Sequence, residues 1–178
     1  KDAQATVLED KVRILRLIED GQGCDNLDRH AIKFLQDWIA TTCELHVEEV
    51  RKGTPMDYEI LAVVLNEVGW LQYCIGRVRR AEDLFLEAKQ VRSMAHTLET
   101  AEGALVLSNI GLVKTRTGEP SAALKEYEDA ARIRMATGTY RSVAGAELLM
   151  TIGFAKETLG NPEAALLDYE AAKQIHTE

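Results

Sequence analysis

Three stretches of this chain can be laid over one another without a gap. They read IGRVRRAEDLFLEAKQVR, TGEPSAALKEYEDAARIR and LGNPEAALLDYEAAKQIH, and they start at residues 75, 117 and 159, a spacing of 42. The same spacing relates Gly76, Gly118 and Gly160, then Gly69, Gly111 and Gly153, then Ala81, Ala123 and Ala165. It also relates Phe85, Tyr127 and Tyr169, then Ala88, Ala130 and Ala172, then Val91, Ile133 and Ile175. Small and aromatic residues recurring together at a fixed period of about 20–50 residues are the signature of a solenoid, in which each copy buries its apolar face against the next.

Each copy divides into two helices. The first is expected over 57–75, 98–117 and 140–159, and the second over 78–92, 120–135 and 162–176. Asn161 is a good N-cap, and Pro162 suits a first helical position. Gly76, Gly118 and Gly160 fit the left-handed residue that closes a helix. Gly69, Gly111 and Gly153 lie inside helices, where each costs about 1 kcal/mol against alanine on propensity alone. Their recurrence predicts a close helix crossing, with Ala81, Ala123 and Ala165 as the opposing small residues. Phe85, Tyr127 and Tyr169 then wedge between neighbouring helices.

The rest of the chain agrees with an all-α reading. It holds only three prolines in 178 residues. Apolar residues recur at three- and four-residue intervals from Val7 to Ile175, and no stretch alternates as a strand does. Residues 1–53 do not follow the repeat register. A helix is expected over 7–18, with Thr6 and Glu9 spaced as a capping box. A turn follows over 20–26, and a longer helix over 28–50. This pair makes a helical hairpin, a degenerate repeat or a cap, before three repeats at about 56–97, 98–139 and 140–178. About eight helices result.

Charge and composition exclude several functions. The net charge is −8, the reverse of what a free-standing nucleic-acid binder carries. No apolar run approaches the ~18 residues of a membrane span. Cys24, Cys43 and Cys74 are odd in number and lack metal-ligand spacing, which suits reduced thiols in the cytoplasm. The chain opens on Lys1 without an apolar signal core and reads as an excerpt of a longer protein. The acidic, glycine-containing EDGQGCDNLD lacks the oxygen spacing of a calcium loop. His30, His46, His96 and His176 are far apart, and no nucleophile elbow, phosphate loop or zinc-protease motif is present. No catalytic residue, metal or cofactor is expected, and the chain reads as a non-enzyme.

The repeat unit resembles the tetratricopeptide repeat (TPR) family. Leu65, Val68–Gly69, Gly76, Ala81, Phe85 and Ala88, with their equivalents 42 and 84 residues on, carry the resemblance. It covers roughly residues 57–178. Two features depart from the family: Gln72, Lys114 and Lys156 stand where an aromatic is usual, and the closing proline is absent. The period is also 42 rather than about 34. Lengthened repeats of this kind are similar to those of the kinesin light chain and Pins-type adaptor group, and to the sensor arms of some bacterial regulators. The resemblance implies a right-handed α-solenoid of antiparallel helix pairs, with the first helix of each pair lining a concave surface.

On the first such helix the core-facing set reads Leu61, Val64, Leu65, Val68, Leu71 and Ile75. The other face carries Asn66, Glu67, Trp70 and Tyr73, and the later copies place Asn109, Leu112, Arg116, Met150, Phe154 and Glu157 there. Trp70, Leu112 and Phe154 form one large apolar column, an expected stripe for a partner's helix or extended peptide. The polar members would orient that segment. A chaperone-type carboxylate clamp is disfavoured: of Asn66, Trp70, Asn109, Glu147 and Thr151 at its matching places, only Asn109 fits. Two functions remain open. One is a peptide-binding adaptor or scaffold with a protein partner, without nucleic acid or membrane. The other is a structural block that self-associates through its C-terminal repeat, whose last helix carries Leu166, Tyr169 and Ile175 without a polar cap.

Overall fold

In this computed structural model, the structure describes residues 24–53 and 57–177. The described residues form seven helices and no strand: α1 (Cys24–Arg51), α2 (Tyr58–Cys74), α3 (Val78–Met94), α4 (Ala101–Arg116), α5 (Pro120–Ala136), α6 (Val143–Thr158) and α7 (Pro162–Thr177). The helix expected over 7–18, with its capping box, lies outside the described residues. The chain divides into two units, residues 1–45 and 46–178, with the boundary inside α1. In the second unit, α2 packs on α3, α4 on α5 and α6 on α7, and these hairpins stack through α3 against α4 and α5 against α6.

Caps fix the helix bounds. The Asp57 side chain accepts from the Glu59 and Ile60 N–H groups, both at 3.0 Å. Thr100 and Ser142 do the same for Gly103 and Gly145 at 3.2 Å. These two hydroxyls start α4 and α6 at Ala101 and Val143, three residues later than apolar periodicity suggests, because Leu98 and Tyr140 precede the caps. Asn161 caps α7, accepting from Ala164 N–H at 3.2 Å. α1 begins at Cys24, so residues 24–26 of the expected turn are helical.

The first helix of each hairpin ends on a left-handed glycine: Gly76, Gly118 and Gly160 have φ of 85°, 85° and 82°. The N–H groups of Arg77, Glu119 and Asn161 then donate back to Gln72, Lys114 and Lys156 at 2.9, 2.8 and 3.0 Å. This satisfies the last carbonyls and reverses the chain tightly enough for the second helix to lie against the first.

Mid-helix glycines admit aromatic rings rather than the alanines expected opposite them. A Cβ on Gly69, Gly111 or Gly153 would stand 2.7, 2.4 or 2.6 Å from a ring carbon of Phe85, Tyr127 or Tyr169. The ring occupies the space a side chain would take, while Ala81, Ala123 and Ala165 are themselves at most 1% exposed. α5 shows the resulting core best. Its Ala123, Tyr127 and Ala130 pack with Ala104 and Leu107 of α4 and with Leu148, Ile152 and Ala155 of α6.

The buried arc of α2 differs from the expected core set. Leu61, Leu65 and Val68 are buried, but Leu71 is 40% exposed and Gln72 is buried at 1%. The arc centres on Leu65, Gly69 and Gln72, spaced i, i+4 and i+7, with Phe85 seated on Gly69. The polar residues that replace the usual aromatic at this level also find partners. Lys114 pairs with Glu126 at 2.8 Å, and Lys156 with Asp168 at 2.7 Å. An ion pair thus ties the second and third hairpins where the family uses a ring.

Candidate functional site

α2, α4 and α6 are the first helices of their hairpins, and their outward positions carry the expected partner residues. Trp70 and Phe154 are 42% and 55% exposed, and Leu112 between them is half-buried. Met150 is exposed on α6, and Glu67 on α2. The Trp70 and Tyr73 rings stack at 5.6 Å with an interplanar angle of 18°. The Arg116 guanidinium lies 5.0 Å from the Tyr73 centroid. The i, i+3 spacing puts the two rings side by side on α2, and Arg116 reaches them from α4. Trp70, Tyr73 and Arg116 therefore form one contiguous platform.

Three of the expected polar residues are engaged within the fold. Asn66 and Asn109 are buried, and Asn109 Nδ2 donates to Asn66 Oδ1 at 2.9 Å, linking α2 to α4. Glu157 accepts from the Tyr169 hydroxyl at 2.9 Å, so it braces α6 on α7.

A cleft of about 290 Å³ opens beside this platform. Trp70 and Leu112 form apolar wall, together with Leu105, and Ser108, Glu147 and Thr151 add polar groups. Arg134, from the end of α5, completes it. Burial lowers the Arg134 pKa, and the carboxylates of Glu147 and Glu102 act in the opposite sense. Arg134 was not legible as a site residue because it belongs to a second helix, away from the face the repeat pattern singles out. A signal was present: Arg92, Arg134 and His176 make a basic column at the same 42-residue spacing. Phe154, Met150 and Glu67 lie outside the cleft walls.

Among the described residues no cluster of three or more His, Cys, Asp or Glu side chains is placed to hold a metal ion. No helix among them is long and apolar enough to cross a membrane.

The helix order, the glycine-closed hairpins and the ring-on-glycine packing define an all-α solenoid of the tetratricopeptide type. The solved structures that resemble it share this fold. BtubC (BKLC) from P. vanneervenii superposes with a TM-score of 0.56 at 12% identity, over 99% of this chain and 86% of that one. Two structures of MamA give TM-scores of 0.54 and 0.53, each at 18% identity over 99% of this chain and over 94% and 87% of theirs. No family model matches the chain, and no curated protein matches it in sequence.

Proposed function

We propose that this chain is a non-catalytic protein-interaction scaffold of the cytoplasm that holds a helix or extended peptide of a partner against the face formed by α2, α4 and α6. Residues 54–178 act as the three-repeat binding part, in the manner of the long-repeat adaptor group, and residues 1–53 as a degenerate repeat or a cap. The observation that carries the reading is the exposed apolar column. Trp70 and Phe154 remain 42% and 55% exposed although each sits one residue from a buried glycine, Gly69 or Gly153. Large apolar side chains flanked by a polar rim are what a partner's anchor residues cover. Helix-in-groove recognition uses such columns.

A pulldown followed by mass spectrometry tests it. Trp70→Ala with Phe154→Ala should abolish capture of partners held by the wild type while leaving helicity and melting temperature unchanged. Capture at wild-type level by the double variant would remove this face as the main site.

A second reading is self-association through the C-terminal hairpin. It rests on Leu166 and Leu167 of α7, which are 56% and 67% exposed.

A further inference from the structure

The cleft beside Trp70 contains a cation with an unmade hydrogen bond. Arg134 is 4% exposed and yet forms part of the cleft wall. Its Nε is buried without a hydrogen-bond partner. Buried donors are satisfied in nearly all folded proteins, so an orphaned guanidinium N–H lining a cleft points to an acceptor that arrives from outside.

Counter-charge is not what Arg134 lacks. Glu147 lines the same cleft from α6, and both it and Glu102 of α4 act on the guanidinium through space. Arg92 also acts on Glu102 through space. The local charges therefore balance, and the missing element is an oxygen at bonding distance. An incoming carboxylate would supply that oxygen but would meet the field of Glu147. An ammonium would supply no oxygen at all. A neutral primary amide meets both needs, since its carbonyl accepts from a cation and its NH₂ donates to a carboxylate.

The other polar groups of the cleft agree. The Ser108 hydroxyl donates to the Ala104 carbonyl, and that of Thr151 to the Leu148 carbonyl, both at 2.8 Å. Asn109 Nδ2 is committed to Asn66. Both hydroxyl hydrogens and one of the two Asn109 amide hydrogens are already used, which leaves Arg134 as the charged donor of the cleft, while Glu147 and the hydroxyl lone pairs can accept. Trp70, Leu105 and Leu112 provide apolar wall for a short methylene stem.

We propose that this cleft is a carboxamide subsite. It takes the side chain of a glutamine or asparagine in the partner's segment, with the amide oxygen on Arg134 and the amide nitrogen on Glu147. That the amide belongs to a partner protein rests on the interaction reading above; the chemistry of the subsite does not.

Small probes test the subsite directly on the full chain. N-acetylglutamine N-methylamide, N-acetylglutamate N-methylamide and N-acetylleucine N-methylamide differ only in the side chain. Each is titrated while the Arg134 Nε–Hε resonance is followed by NMR. The glutamine probe should move that resonance saturably and bind about fivefold more tightly than the other two, the worth of one net hydrogen bond. In Glu147→Gln, an exposed position where folding is not at stake, the preference should pass to the glutamate probe because the opposing carboxylate is gone. The proposal is overturned if the glutamate probe wins on the wild type, if the leucine probe binds equally, if no probe moves the resonance, or if Glu147→Gln leaves the order unchanged. Failure of the Trp70/Phe154 capture experiment would remove the interaction reading and leave these titrations standing.

Discussion

At the scale of single residues, the contact between Gly111 and Tyr127 is the most sharply specified. Tyr127 is 1% exposed, and a Cβ on Gly111 would stand 2.4 Å from its ring. Gly111→Ala should gain helix propensity of about 1 kcal/mol but incur more from overpacking, for a net loss of about 1–2 kcal/mol. A fall in the urea midpoint with an unchanged slope would show this, whereas a rise would mean that the ring shifts freely. The column of mid-helix glycines was legible because three helix-disfavouring residues in register demand a common cause. What lay opposite them was not, since sequence offers both alanine and aromatic columns at this level and only geometry chooses. His96 is a similar case. It adopts φ of 56°, in the left-handed region, at the place where the next copy has Gly138 with φ of 71°.

Between elements, polar pairs carry information that a hydrophobic pattern omits. Asn66 and Asn109 look like surface asparagines in each helix taken alone, because burial by a neighbouring helix cannot be read from one helix's periodicity. Asn109→Ala would strand the Asn66 amide and should destabilise by about 1–3 kcal/mol, and converting both asparagines to leucine should recover part of that loss. A double-mutant cycle in denaturant measures the coupling, and strict additivity would contradict the pairing.

Glu126 joins three helices, bonding Lys89 of α3 and Lys114 of α4 from its place on α5, each at 2.8 Å. Burial raises its pKa, but its hydrogen bonds and charge interactions with Lys114 and Lys89 outweigh that, and the net shift is downward. A lowered carboxyl pKa adds stability above the unfolded value of about 4.3 and loses it as pH falls through the folded value. The stability difference between wild type and Glu126→Gln should therefore be about 1–2 kcal/mol at neutral pH and should shrink below about pH 4. A difference that does not change between pH 7 and 3 would show that the carboxylate's charge is immaterial.

For the molecule as a whole, the repeat period placed six of the seven described helices, because a gap-free spacing fixes every copy once one is understood. The bounds of α4 and α6 moved only where Thr100 and Ser142 cap them. The cleft was less legible, since Arg134 reaches it from a helix assigned to the other layer. Leu166→Lys with Leu167→Lys separates the two functional readings. If α7 mediates self-association, light scattering should show concentration-dependent growth of the wild type and a monomer for the variant. A monomeric wild type at high concentration removes that reading.

The ion pairs inside the hairpins also bear on how near-identical units find their own partners. Lys114 and Lys156 meet Glu126 and Asp168, whereas the corresponding positions of the first copy are Gln72 and Leu84. A slip by one copy during folding would put α4 in the place of α2 against α3 and set the Lys114 ammonium opposite Leu84 instead of Glu126. The second and third copies carry a complementary mark that the first lacks, and the mark penalises an exchange between the first copy and its neighbour that shape alone would permit.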